Sequence, residues 1–291
     1  MYKIVHKQVI AQDIKKIDIM APAIAARALP GQFVMVTPVS GAHNIPMTIV
    51  DSDERRSVIS LLVHEVGTSS RKLGDLSIGE AVFQIVGPLG QGSQLDKYGV
   101  VICVATGIGA AQILPICRGL KKKGNKVIGI VGAKSKKDMM LESQMRVVCD
   151  EIFITTNDGS YERKGLATGL LKELLERYNV QRVYAIGSVE MMQAAARMTR
   201  EKSIPLRVTL NPYMANGLGI CGSCRVKIKG QYRLACVEGP EFDGHMVDYD
   251  DLSQRMNAPE FVQWENQAHR TSPKRPGLAT FVKSLWGTTK K

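Results

Sequence analysis

Val100-Val101-Ile102-Cys103-Val104 runs directly into Ala105-Thr106-Gly107-Ile108-Gly109-Ala110-Ala111. The first five residues are apolar and predict a short buried strand. The small residues that follow suit a tight turn, and a helical stretch then continues to Lys123. A helix that opens after such a turn offers free backbone amides to a pyrophosphate. A plain tight turn would use the same residues, so the motif gains its weight from its place. It stands at the first strand–helix junction of an alternating series. Strands are expected at 126–131, 151–155 and 183–186, and helices at 135–148, 168–178 and 191–202. This alternation predicts a parallel sheet with crossovers. Ile186-Gly187-Ser188 repeats the strand–glycine–helix design at a later strand end.

Upstream the pattern differs. Val34-Met35-Val36-Thr37, the run at 58–63 and the run at 81–86 are β-rich and bounded by Gly, Pro, Asn or Asp. Closely spaced short strands of this kind suggest a small antiparallel barrel over residues 1–96. Three of its loops stand out: Ile45-Pro46-Met47-Thr48, Gly67-Thr68-Ser69-Ser70-Arg71-Lys72-Leu73 and Gly87-Pro88-Leu89-Gly90-Gln91-Gly92. Hydroxyls and amides of the middle run suit a phosphate, with Arg71 or Lys72 supplying charge. The fold class is α/β with an all-β part.

Downstream, a third unit begins at residue 206. It contains Asn216-Gly217-Leu218-Gly219-Ile220-Cys221-Gly222-Ser223-Cys224, and Cys236 follows after eleven intervening residues. Plant-type [2Fe–2S] loops are spaced C-x4-C-x2-C with a later fourth Cys. The spacing here is the same, but Asn216 occupies the first position. A zinc site and reduced bystander thiols are the alternatives. Zinc usually uses two CxxC halves, and only one is present. Cys103, Cys117 and Cys149 lie in apolar or mixed segments and read as core thiols.

Composition narrows the function classes. The 291 residues suffice for two ordinary domains. No run approaches the ~18 apolar residues of a membrane span, and from the strand-like pattern at residues 1–6 no signal peptide is expected. A cytoplasmic protein without membrane insertion is expected. The net charge of +12 is concentrated in two segments. Residues 118–146 hold nine Lys/Arg and two acids, and residues 268–291 hold six Lys/Arg and no acid. The remainder is nearly neutral and no RNP-like aromatic motif is present, so nucleic acid is not an expected partner. No HExxH, GxSxG or Walker sequence occurs.

Taken in this order, the motifs resemble the ferredoxin–NADP reductase-like electron-transfer subunits over roughly residues 1–265. Two branches are similar: the electron-transfer subunit of class 1B dihydroorotate dehydrogenase, and the small subunit of NADH-dependent reduced ferredoxin:NADP oxidoreductase. The stretch 153–161, Asn211-Pro212-Tyr213-Met214, the stretch 236–245 and Val247-Asp248-Tyr249-Asp250 look like the second branch. The resemblance implies an N-terminal antiparallel flavin-binding β-barrel (1–96) and a parallel-sheet NAD(P)-binding domain (97–205). A small C-terminal [2Fe–2S] domain (206–265) and a basic tail (266–291) would follow.

Pro46, Met47 and Thr48 would then line FAD, with Leu62, Val63 and His64 along it and Ser69 and Ser70 at its pyrophosphate. Thr106, Gly107, Ile108 and Gly109 would cradle NAD(P)H, with Asp158 and Gly187 nearby. Cys221, Cys224 and Cys236 would ligate iron, and Asn216 would take the fourth position. The implied partner is a larger flavin and [4Fe–4S] subunit, with ferredoxin reached through the complex. Three positions depart from the family pattern. Ile45 stands where the dihydroorotate-type motif has Arg, Ala105-Thr106 where relatives carry glycines, and Asn216 where relatives carry Cys or Asp. A degenerate, non-catalytic scaffold subunit is the rival that these departures suggest.

Overall fold

The computed structural model describes residues 2–257. The basic segment at 268–291 lies outside them. The first unit contains strands Tyr2–Ala11 (β1), Ile14–Met20 (β2), Phe33–Thr37 (β3), Ile45–Asp53 (β4), Val58–His64 (β5), Ala81–Val82 (β6) and Gln84–Leu89 (β7). Two short helices join them, Pro22–Ala25 (α1) and Thr68–Asp75 (α2). The sheet order is β6-β1-β2-β5-β4-β3-β7, with every pairing antiparallel. The two ends of that order, β6 and β7, are separated in the chain only by Phe83, so the barrel is nearly closed. The expected single strand at 81–86 is therefore two. The chain changes partner from β1 to β3 at Phe83, which is 60% exposed and donates its N–H to Pro38 O at 3.0 Å. Ile17, Ile19, Val34, Val36, Ile59, Leu61 and Val63 fill the interior.

The second unit alternates as expected. Its elements are Val100–Thr106 (β8), Gly109–Lys122 (α3), Lys126–Ala133 (β9), Glu142–Val148 (α4), Glu151–Thr156 (β10), Arg163–Lys164 (β11), Ala167–Arg177 (α5), Arg182–Ile186 (β12) and Val189–Glu201 (α6). The expected helix at 135–148 is shorter. A 3-10 turn covers Lys136–Asp138, and α4 starts only after Leu141, whose φ of +57° breaks any continuous helix. Met140 and Leu141 are buried beneath that break, so tertiary packing overrides local helical preference.

Leu206–Thr209 (β13), counted above with the third unit, extends the parallel sheet beside β12. Glu241–Asp243 (β16) then adds an antiparallel edge, giving the order β11-β10-β9-β8-β12-β13-β16. Between these two strands come the cysteine loop, the hairpin Arg225–Ile228 (β14) and Gln231–Leu234 (β15), and a helical turn at Ala235–Glu238 (α7). The last helix among the described residues, Tyr249–Met256 (α8), is capped by Asp248, whose carboxylate accepts from Asp251 N at 3.0 Å. Tyr249 and Leu252 of α8 are buried in the core that includes α5 and α6. On the other sheet face, α3 packs with Ile14, Val50 and Leu62 of the barrel. Arg118 of α3 pairs with Asp51 of β4 at 3.0 Å across that junction. The cysteine-bearing unit is therefore held to the sheet by both flanks.

Candidate functional site

Where barrel, α3 and the segment after β13 meet, the surface opens into a cavity of about 1040 Å³. That is ample for a large cofactor. The barrel contributes Pro46, Met47 and Thr48 of β4 and Leu62 and His64 of β5. Strand alternation turns Val63 the other way. Its side chain is fully buried in the barrel core, between two neighbours that face the cavity. The start of α2 supplies Gly67, Thr68, Ser69 and Ser70, with Lys72 one turn on. Gly67 N donates to Ser70 Oγ at 3.0 Å, closing the first turn.

The far end of α2 is tied down. Lys15 Nζ donates to Gly74 O at 2.9 Å and Lys7 Nζ to Leu76 O at 2.8 Å. Burial, followed by the neighbouring Lys15 charge, lowers the pKa of the Lys7 ammonium. Lys15 also pairs with Glu65 at 2.5 Å, with both side chains largely buried. A Cβ at Gly74 would fall 1.7 Å from that Glu65 oxygen, so glycine is needed for the approach. These cations complement the negative end of the helix dipole, and the positive end faces the cavity.

The second unit enters the cavity through Ile108, Ala111 and Gln112, which recur at i, i+3 and i+4 on one side of α3. Thr106, Gly107 and Gly109 form the turn just behind them. Gly107 has φ +55° and nothing within 4 Å of where a Cβ would sit, so this side of the turn is open. A Cβ on Gly109 would meet Ile186 O at 2.4 Å, and one on Gly187 would meet Thr106 Oγ1 at 2.0 Å. The two strand-end turns thus touch each other, bringing Gly187 to the same place as Thr106 and Gly109. Asp158 is not among the cavity residues. It lies beyond β10 and accepts from Ser160 N and Ser160 Oγ at 2.9 and 2.6 Å. Those hydrogen bonds lower its carboxyl pKa. Ser160 Oγ in turn accepts from Lys136 N at 2.8 Å, and Lys136 Nζ lies over the Tyr161 ring.

Thr209, Asn211, Pro212, Met214 and Pro240 complete the wall, none of them singled out above as a binding residue. Gln112 was also missed, although its place four residues after Ile108 was readable from helical periodicity. Asn211 and Met214 belong to a stretch whose pattern carried the family resemblance but no role.

Beyond Met214 the chain turns through Asn216, Gly217 and Gly219 into the cysteine loop. Cys224 and Cys236 are buried with their sulfurs 3.2 Å apart. Cys221 is exposed, and its sulfur is 3.0 Å from Ser223 Oγ. The Ser223 hydroxyl, with backbone amides of Ser223, Asn216 and Ala215, lowers the pKa of the Cys221 thiol. Burial and the adjacent Cys224 push Cys236 up to about 11. Asn216 Oδ1 accepts from Leu218 N at 3.0 Å. Among the described residues, no three His, Cys, Asp or Glu side chains are gathered as metal ligands. The donor set nevertheless suits an iron–sulfur cluster: three thiols in one loop, one of them surrounded by amides that favour its thiolate.

Comparison with known proteins agrees with this geometry. Residues 211–248 match the iron–sulfur cluster binding domain of dihydroorotate dehydrogenase B. The chain shares 35% identity with a dihydroorotate dehydrogenase B (NAD(+)) electron transfer subunit homolog from Thermotoga maritima, covering 87% of this chain and 90% of the relative. A Desulforamulus reducens electron transfer subunit of the same enzyme is 32% identical, over 85% of this chain and 97% of that one. Among solved structures, that of the NADH-dependent reduced ferredoxin-NADP oxidoreductase superposes with a TM-score of 0.86 at 32% identity, covering 93% of this chain and 98% of that chain. Phthalate dioxygenase reductase, at 19% identity and a TM-score of 0.56, shares the fold.

Barrel, parallel sheet and cysteine loop together define the architecture of the ferredoxin-reductase-like electron-transfer proteins. The chain belongs to the family of dihydroorotate dehydrogenase B electron-transfer subunits and their homologues. No helix among the described residues is long and apolar enough to cross a membrane.

Proposed function

We propose that this chain takes reducing equivalents from NAD(P)H and passes them, one electron at a time, to a larger partner subunit. The observation that carries the proposal is the shared cavity, because residues from the barrel, the α3 turn and the approach to the cysteine loop all line it. Bound FAD would exchange a hydride for single electrons, and a [2Fe–2S] cluster would relay them.

The chain's own residues do the placing. Pro46, Met47, Thr48, Leu62 and His64 wall the flavin, while Ser69, Ser70 and the start of α2 take its pyrophosphate. The turn at Thr106, Gly107, Ile108 and Gly109, with Gly187 against it, would receive the dinucleotide, and Asp158, held by Ser160, would accept from its ribose hydroxyls. Cys221, Cys224 and Cys236 hold iron, with Asn216 at the fourth position. A Cβ at Gly217 would meet Met35 Cγ at 2.5 Å and Leu89 Cδ1 at 2.9 Å. The loop is therefore seated on β3, the strand that also supplies Phe33 to the cavity. A flavin and a cluster held by these residues would lie on either side of β3, and the cluster would accept single electrons from the flavin.

An electron-bifurcating complex of the NADH-dependent ferredoxin:NADP oxidoreductase type is favoured by the similarity over 98% of that chain's length. The partner would then carry flavin and [4Fe–4S] clusters, with ferredoxin reached through it. A dihydroorotate dehydrogenase-type complex is the second reading, favoured by the match at 211–248. The test is anaerobic reconstitution of the full chain with FAD, iron and sulfide, followed by NADH and NADPH. Bleaching of flavin absorbance and an EPR signal from a reduced cluster are expected. A chain that takes up neither flavin nor iron is a scaffold, and the proposal fails. Proteins that co-purify with the native chain distinguish the two complexes.

A further inference from the structure

In the cavity wall two carboxamides face each other. Gln112 Nε2 donates to Asn211 Oδ1 at 2.7 Å, and Asn211 Nδ2 donates to Gln112 Oε1 at 2.8 Å. Each amide uses one donor and one acceptor on the other, forming a closed pair across 99 residues of chain. Both residues line the cavity. Their supports differ. Gln112 is in the first turn of the 14-residue helix α3, on the same side as Ile108 and Ala111. Asn211 is exposed, in the irregular segment between β13 and the cysteine loop.

An exposed amide pair contributes little net stability, because water competes for each hydrogen bond. It opens at small cost. The group best suited to replace one member carries the same donor–acceptor set on a planar frame, which is another carboxamide. We propose that Gln112 recognises the carboxamide of a nicotinamide ring, and that Asn211 occupies that position until the ring arrives. The inference rests on the dinucleotide reading given above. The helix fixes Gln112, so the loop residue Asn211 is the partner that is displaced. The assignment also sets a specificity. A nicotinate ring offers a carboxylate, which accepts from Gln112 Nε2 but has no proton for Gln112 Oε1. A site built around a donor–acceptor pair rejects a ligand that lacks the donor.

The test is calorimetric titration of the full chain, reconstituted with FAD, against NAD+, nicotinic acid adenine dinucleotide and ADP-ribose. Wild type is expected to prefer NAD+ to the nicotinic acid dinucleotide by roughly tenfold, the worth of one such hydrogen bond. Gln112→Ala should weaken NAD+ by about the same factor and erase the preference, leaving ADP-ribose unchanged. Asn211→Ala should bind NAD+ as tightly as wild type or more tightly, since it removes the internal competitor. A preference that survives Gln112→Ala overturns the assignment. So does an Asn211→Ala chain that loses as much NAD+ affinity as Gln112→Ala, because the pair is then a structural clasp. Wild type that binds ADP-ribose without preferring NAD+ overturns the assignment alone. Wild type that binds neither overturns the dinucleotide reading along with it.

Discussion

The turn at 105–109 and the loop at 216–224 are both rich in small residues, yet glycine serves them differently. In the turn, Gly109 is demanded by a neighbouring backbone, since a Cβ would lie 2.4 Å from Ile186 O and 2.9 Å from Ile186 C. Both belong to a seven-stranded sheet that does not yield. In the loop, Gly217, Gly219 and Gly222 have φ of +72°, +77° and +68°. What a Cβ would meet there is the end of a side chain: Met35, Val237 or Arg225. The dinucleotide end of the site is therefore imposed by a rigid frame, while the cluster end is set by the loop's own dihedrals against adaptable neighbours. Substitutions at the two ends should differ in cost and in kind.

Gly109→Ala is expected to have the largest effect. Overpacking against fixed backbone costs about 2–3 kcal/mol. The start of α3 must also shift, carrying Ile108, Ala111 and Gln112 out of the cavity wall. Denaturant unfolding should show the loss of stability, and ADP-ribose binding should disappear. An unchanged unfolding midpoint would show that the strand end moves after all and would break the contrast.

Lys15→Met tests how far the rigid frame extends into the barrel. Removing Lys15 leaves Glu65 largely buried without its cation and frees Gly74 O. Stripping one partner from a buried pair is costly, although residual exposure moderates it, and about 2 kcal/mol is expected. FAD affinity should fall with stability, because the pair anchors the helix whose opposite end meets the cofactor. Lys15→Met with unaltered FAD affinity would show that α2 holds its place without the pair.

The same contrast governs what was legible in the sequence. Strand–helix alternation exposed the parallel sheet because each element carries its own period. In the barrel β3 and β5 were readable for the same reason, but one run serves two partners at Phe83, and Ile45–Thr48, read as a loop, opens β4. Ser69 and Ser70 stood out because hydroxyls beside a glycine suit a phosphate, and both line the cavity. Cavity residues such as Thr209, Met214 and Pro240 were not, because only pairing of β13 with β12 and of β16 with β13 brings them there. Strand alternation separates Val63, whose side chain is in the barrel core, from Leu62 and His64 on either side of it, which line the cavity. The helix expected at 135–148 failed at Leu141, whose burial in the core rather than its local preference decides its backbone.

Gly217→Ala should cost less than either, about 1 kcal/mol, chiefly from placing a side chain at positive φ. Met35 and Leu89 can rotate away, so the fold survives, but the loop lifts from β3. Iron content after reconstitution should fall while FAD binding stays intact. Loss of both together would mean that loop and cavity form one rigid unit and would erase the distinction between the two ends.

Asn216→Asp should disturb stability least and electronics most. The carboxylate keeps the acceptor for Leu218 N, now met at 3.0 Å, so the turn is preserved and stability should stay within about 0.5 kcal/mol. What changes is charge. A neutral carboxamide at the fourth position leaves the cluster environment less negative than an aspartate does. Each added negative charge disfavours the arrival of an electron. The wild-type chain should therefore have a higher reduction potential than its Asn216→Asp variant in an EPR-monitored redox titration. Equal potentials would place Asn216 outside the iron's coordination, in its turn with Leu218 alone. A higher potential in the variant would reverse the electrostatic argument for this end of the molecule.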